Sequence, residues 1–186
     1  MIIPNRKILV VDDDPEVIDT FNTILVESNS DEMEDLLGLL TTDMHSSVEE
    51  SKELLNSSSD SFNLHTAESA GQAIELFKKA MIEGEPFSTV FIDIRMPPGM
   101  DGLKCSIELG EIDPNINIVI VSAYSDYSIS DMQNHLEHDF LYLSKPFIPD
   151  ELIQIAQNLS YCWGRDHYYR ETIATLKDRL AATVNS

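Results

Sequence analysis

The chain has 186 residues, 42% of them apolar, and a formal net charge of −21 at neutral pH. That length suits one domain of ordinary size with something appended. So large an acidic excess excludes direct nucleic-acid binding, which needs a basic face, and no apolar run approaches the roughly 18 residues of a membrane span. The apolar start at Ile2-Ile3 is too short for a signal peptide, so a cytoplasmic chain is expected. Cys105 and Cys162 have neither a disulfide framework nor metal spacing, and read as reduced structural thiols.

The first apolar run, Ile8 to Val11, predicts a strand at about 7–12 that ends in Asp12-Asp13-Asp14-Pro15. Asp14 before Pro15 reads as a helix N-cap with proline at the first helical position. The helix should run from Pro15 to about Val26, with Val17, Ile18, Phe21, Ile24 and Leu25 on its buried stripe. From Glu27 to Asp60 the composition turns acidic, and only Lys52 is basic. Met33, Leu36, Leu37 and Leu40 fall on one helical face there, and Ser57-Ser58-Ser59 reads as a linker, so a solvated insert with marginal helices is expected.

A second strand is expected at about Phe62 to Thr66, then a helix from Ser69 to Glu83 with Ala70, Ala73, Ile74, Phe77 and Met81 inward and Gly84 as its C-cap. Thr89 to Ile94 is β-branched and aromatic, as a strand buried on both faces of a parallel sheet should be. It delivers Asp93, and Pro97-Pro98-Gly99 then stops any regular element. A short helix follows at about Gly102 to Leu109, closed by Gly110 and Pro114. The run Ile116 to Val121 ends in Ser122-Ala123, and a weaker helix is expected near Ile129 to Glu137. The run Phe140 to Leu143 ends in Ser144-Lys145-Pro146-Phe147, ahead of a long helix from about Asp150 to beyond Leu180. Alternation of this kind predicts a doubly wound α/β sheet.

In such sheets ligands bind at the carboxyl ends of the strands. Capping explains Asp14 but not Asp12 and Asp13, and adjacent carboxylates repel unless a cation lies between them. Three acids (Asp12, Asp13, Asp93), the Ser122 hydroxyl and Lys145 at four strand ends suit a hard divalent metal and a phosphoryl group. Taken singly, each has a plainer explanation: a capping acid, a strand-end hydroxyl, a surface lysine. Their joint occurrence, each after an apolar run, carries the reading. His45, His65, His135, His138 and His167 share no useful metal spacing and read as surface or half-buried.

The ordered set Asp12-Asp13, Asp93, Ser122-Ala123 and Lys145-Pro146-Phe147 resembles the receiver domain of two-component response regulators. Arg95 to Gly102 and Ser122 to Tyr127 resemble a subgroup with an Arg-Met-Pro-Pro-Gly-x-Asp-Gly loop, one residue longer than the commoner form. The resemblance implies a flavodoxin-like sheet of five parallel strands in the order 2-1-3-4-5. It also implies a non-enzymatic signalling switch, a phosphoprotein that accepts a phosphoryl group on Asp93 and catalyses only that transfer and its own dephosphorylation. Mg²⁺, or Mn²⁺ in its place, would be held directly by Asp13, Asp93 and the backbone carbonyl of Arg95, with Asp12 acting through water. Lys145 and Ser122 would contact the phosphoryl oxygens, and Tyr142 occupies the family's aromatic switch position. The implied partners are a histidine kinase or phosphotransfer protein and a downstream protein.

The receiver is expected over residues 5–160, with an insert at 28–60 and a helical extension at 161–186. No output domain is recognisable after residue 150, so a receiver fragment of a larger hybrid kinase or regulator is the alternative. An aspartyl-phosphate phosphatase fits less well, because that class wants a second acid two residues after its nucleophile and Arg95 stands there. Leu152, Ile155, Leu159, Cys162, Asp166, Tyr169, Ile173, Leu176 and Leu180 alternate by three and four, an a/d seam that favours a parallel homodimer. Folding back on the acidic insert is the other outlet for that seam.

Overall fold

The computed structural model describes residues 2–27, 61–97, 99–123, 132, 133, 136 and 139–184. Five strands, β1 (Lys7–Val11), β2 (Asn63–Ala67), β3 (Thr89–Asp93), β4 (Asn117–Ser122) and β5 (Phe140–Ser144), form one sheet in the order β2-β1-β3-β4-β5. Every neighbouring pair is parallel, so all five carboxyl ends lie along one edge. This is the expected topology.

Strand alternation divides the interior into two cores. Leu9, Val11, Val90, Ile92, Ile118 and Ile120 face one side, where they meet α2 (Ala70–Glu83) through Ala73, Ile74 and Phe77, and α3 (Gly102–Ile112) through Leu103, Cys105 and Leu109. Ile8, Val10, Phe91, Val119, Val121 and Leu143 face the other, against Phe21 of α1 (Pro15–Asn22) and Leu152 and Ala156 of α4 (Pro149–Val184). Phe21 is 1% exposed, and burying such a ring contributes about 2–3 kcal/mol. The Asp14 cap, whose carboxylate accepts from the Glu16 amide at 3.0 Å, adds about 1 kcal/mol. Packing therefore holds this two-turn helix more firmly than capping does.

Some local expectations shift. The first helix ends as a π turn, Thr23–Glu27. On α2, Ala80 is buried and Met81 is 36% exposed, so the inner face ends one residue earlier than expected. Gly84 does cap α2, with φ +74°. Helix α3 runs through the buried Gly110 to Ile112, because Asp113 and Pro114, not the glycine, set its end. Helices expected within 28–60 lie outside the described residues, as does most of 129–137, although Met132 and Leu136 are described and buried in the first core. Burial pushes the Cys105 thiol up to about 12, which fits an inert structural thiol.

Candidate phosphoryl-acceptor site

The site is assembled at the carboxyl edge by three non-adjacent chain segments. Strand β1 ends at Val11, and Asp12 follows it into the edge with 2% of its surface exposed. One oxygen, Oδ1, accepts from the Asp14 amide at 3.1 Å, which fixes the carboxylate against its own turn. Strand β3 delivers Asp93, 7% exposed, whose Oδ2 accepts from the Arg95 amide at 2.7 Å. The loop after β5 brings Lys145, whose Nζ donates to Asp12 Oδ2 at 2.6 Å and to Asp93 Oδ1 at 3.1 Å. Three of the expected residues, Asp12, Asp93 and Lys145, thus meet through one ammonium group.

Local packing explains the precision of each placement. The Lys145 amide donates to the Ser122 carbonyl at 2.9 Å, tying the loop after β5 to the end of β4. Two residues on, Phe147 packs on Phe21 with centroids 5.1 Å apart, and Phe21 on Phe91 at 5.2 Å. The Lys-Pro-Phe turn, with a cis Lys145–Pro146 peptide, is therefore anchored by an aromatic stack that reaches β3. On the other side, the Gly102 amide donates to the Ile94 carbonyl at 2.9 Å and closes the loop after Asp93. A Cβ on Gly102 would lie 1.8 Å from the Asp93 carbonyl oxygen, so only glycine lets α3 begin so close behind Asp93.

Of the remaining expected residues, Ser122 is 4% exposed at the end of β4, in register with Ser144 of β5. Asp13 is exposed beside Asp12. The Arg95 side chain is exposed, while its backbone amide holds Asp93. Tyr142 is half-buried in β5 and packs against the first core. Residues 124–127 of the Ser122–Tyr127 stretch lie outside the described residues. Sequence reasoning missed Gly102 and the Phe21–Phe147 contact. A glycine directly after the N-cap Asp101 was the available signal for the first; nothing local signals the second.

Charge in the site is unbalanced. Burial pushes the Asp12 carboxyl above its ordinary range, against the opposing pull of the Lys145 bond and charge. For Lys145, burial works to lower the ammonium, but the bond and charge of Asp12, with Asp93 behind it, leave it raised. One cation thus serves two buried carboxylates, with the Asp13 carboxylate just outside. An oxygen-only donor set with surplus negative charge suits a hard divalent cation. Among the described residues, no three acidic, histidine or cysteine side chains are already gathered as a metal cage.

Lys145→Met is expected to cost about 2 kcal/mol at neutral pH, since it strands two buried carboxylates. The folded pKa of Asp12 lies above its unfolded value, so its protonation favours the folded chain. Without the opposing pull of Lys145 that carboxyl rises further, so the deficit should be full while it is ionised and shrink as falling pH protonates it in the variant. Thermal melts at descending pH check this, and a deficit that grows toward acid would contradict it.

Comparison with known proteins bears on this site. The response regulator receiver domain family model matches residues 39–157. The match begins after β1 and α1, so Asp12 and Asp13 lie outside the matched stretch. The C4-dicarboxylate transport transcriptional regulatory protein DctD of Rhizobium meliloti (strain 1021) is 30% identical over 50% of this chain and 21% of its own length. The response regulator receiver protein CpdR of Brucella abortus (strain 2308) is 30% identical over 42% of this chain and 63% of its own. The chain thus spans less than two thirds of either relative. Its fold is also that of CheY in the CheX-CheY-BeF3-Mg+2 complex from Borrelia burgdorferi, with TM-score 0.52, 21% identity, and coverage of 80% of this chain and 84% of that one. The chain belongs to the response regulator receiver domain family, the phosphorylation-dependent switches of two-component signalling.

Proposed function

We propose that Asp93 is the phosphoryl acceptor of this switch. The observation that carries the reading is the Lys145 ammonium held between Asp12 and Asp93 at the carboxyl edge. In the transfer, a carboxylate oxygen of Asp93 forms a bond to the donor's phosphorus. The donor's own bond to that phosphorus breaks, and its electron pair leaves with the donor. Lys145 is already within reach of Asp93 and pairs with a phosphoryl oxygen, stabilising the charge of the transferring group. The Ser122 hydroxyl bonds another phosphoryl oxygen once the group has arrived. Tyr142, half-buried on the neighbouring strand, reports that arrival to the β4–β5 face.

Asp13, Asp93 and the backbone carbonyl of Arg95 would hold Mg²⁺ or Mn²⁺, with Asp12 in support through water. A cation bound there supplies neutralising charge beside the acceptor and the incoming phosphate. The donor is a histidine kinase or phosphotransfer protein, and output passes to a downstream protein partner. The receiver occupies residues 5–160, and residues 161–186 extend it. The loop Arg95–Gly102 fits the subgroup with the longer Pro-Pro-Gly turn. A cytoplasmic setting accords with two-component signalling; no described helix is long and apolar enough to cross a membrane.

Incubation with acetyl phosphate tests the reading. The expected result is one phosphoryl group per chain in Mg²⁺ and at least a tenfold slower uptake in chelator, the loss of a cation worth about 1.4 kcal/mol or more to the transition state. No uptake from acetyl phosphate or from any histidine kinase would overturn it.

A further inference from the structure

Helix α4 changes character along its length. Leu152 and Ala156 are fully buried in the second core, and Ile155 and Leu159 pack against it. Past the buried Gly164 the helix runs on to Val184, and from Asp166 to Thr183 every residue except Thr172 is exposed. That is roughly 27 Å of helix. Tyr169, Ile173, Leu176 and Leu180 are each at least half exposed there, and their spacing sets them in one stripe. A lone helix of this length is marginal in water, since most helical stability comes from packing an apolar face. The stripe therefore calls for an occupant.

Shape gives the first part of its chemistry. The stripe alternates by four and three, the narrow seam of a helix pair and not the broad apolar face of a helix lying on a bilayer. At its root, Leu159, Asp166 and Arg170 of α4 line a cleft of about 550 Å³ together with Ile116, Phe140 and Leu141. Leu141 is 44% exposed in it. A concave cleft continuous with the seam suits the end of an inserted helix, and a flat lipid surface would not follow it.

Charge gives the second part. Residues 165–186 hold four basic and three acidic residues, in a chain whose net charge is −21. Arg165 is paired with Asp166 at 3.0 Å and is already neutralised. Arg170, Lys177 and Arg179 take part in none of the ion pairs formed among the described residues. Arg170 and Lys177 each follow a seam residue on one flank, and Arg179 precedes Leu180 on the other. Glu171 and Asp178 fall one position further round, on the outer face. A second copy fits this border poorly. A parallel copy sets Asp166 against Asp166 on the seam, and an antiparallel copy with Ile173 against Leu176 sets Arg170 against Lys177. We propose that Tyr169–Leu180 docks an amphipathic helix of a partner protein, its apolar face on the seam and its acidic flanks on Arg170, Lys177 and Arg179. The cleft at the root of the seam lies where β4 and β5 begin, whereas Asp93 ends β3, so docking there leaves the opposite edge open.

The test offers the unphosphorylated full chain two synthetic three-heptad peptides with leucine at a and d, one with glutamate and one with lysine at e and g. Fluorescence anisotropy gives the affinities and sedimentation velocity the mass. Amide hydrogen exchange reads residues 168–182, with β3 as the control for folding. The expected result is a monomeric chain at tens of micromolar that binds the glutamate peptide at least about tenfold more tightly, with slower exchange over 168–182 once bound. R170E/K177E/R179E should reverse that preference, and salt should weaken binding to the parent. Because no phosphoryl group is present, the outcome is independent of the role given to Asp93. Binding of neither peptide, or of both equally, would overturn the proposal. So would a dimer with protected 168–182 amides, which gives the seam to a second copy. Protection of those amides in the peptide-free monomer would overturn it by giving the seam to another part of this chain. Cosedimentation with anionic lipid vesicles, lost in R170E/K177E/R179E, would overturn it in favour of a membrane surface.

Discussion

Asp93→Asn is expected to abolish phosphoryl uptake and to leave the chain folded. The carboxylate is fixed by two bonds, from the Arg95 amide to Oδ2 and from Lys145 to Oδ1. Asparagine has nearly the same shape and keeps one acceptor oxygen, so one of those bonds survives. It also removes one of two buried negative charges that share a single ammonium, which offsets part of the lost bonding. A stability change within about 1 kcal/mol is therefore expected. The carboxylate proposed as nucleophile, by contrast, is gone. Phosphate-affinity gels after incubation with acetyl phosphate should show full conversion of the parent and none of the variant. Equal conversion of both would remove Asp93 from its role.

Gly102→Ala should damage fold and site together. The added Cβ would meet the Asp93 carbonyl oxygen at 1.8 Å, its carbon at 2.8 Å and the Ile94 Cα at 3.0 Å. All three are backbone atoms at the end of the strand that carries Asp93, so no side chain can swing aside. Helix α3 must retreat, and the Gly102–Ile94 bond that closes the loop must stretch or break. We expect a loss of about 3 kcal/mol or more, roughly 10 °C in Tm, and slower phosphoryl uptake even where the variant is folded. Gly71→Ala is the matched control. Nothing lies within 4 Å of its added Cβ, and it sits inside α2, where alanine is favoured over glycine by about 0.5–1 kcal/mol. Opposite shifts in the two melting curves are expected; similar shifts would show that the close approach at Gly102 is not rigid.

Much of the site was legible because a parallel sheet writes it into the sequence. Each strand buried on both faces is an apolar run, and the polar residue that ends the run lies on the one edge where ligands bind. Asp12, Asp93, Ser122 and Lys145 could therefore be placed at that edge, and the strand order followed from the family resemblance. What sequence could not show was how those ends meet. Lys145 is separated from Asp12 by 133 positions, and only the folded chain puts Nζ on both acids. The closeness of Gly102 to Asp93 is likewise a relation between backbones, invisible in a string of side chains. Helix ends were the weakest readings for a related reason. Gly110 reads as a stop, but it is buried on α3, which continues to Ile112 before Asp113 caps it. The seam on α4 was read as one stripe; the structure divides it, with Leu152, Ile155 and Leu159 packed in the second core and Tyr169, Ile173, Leu176 and Leu180 exposed.

The most direct measurement is chemical. An aspartyl phosphate is an acyl phosphate, and borohydride reduces it to homoserine with release of phosphate, leaving a permanent mark at the acceptor. The phosphorylated chain should be reduced, digested and sequenced by mass spectrometry. Homoserine at position 93, absent from unphosphorylated chain treated alike, is the predicted result. Homoserine at position 12 or 13 instead, or at no aspartate in a chain that took up phosphate, would contradict the assignment of Asp93 as acceptor.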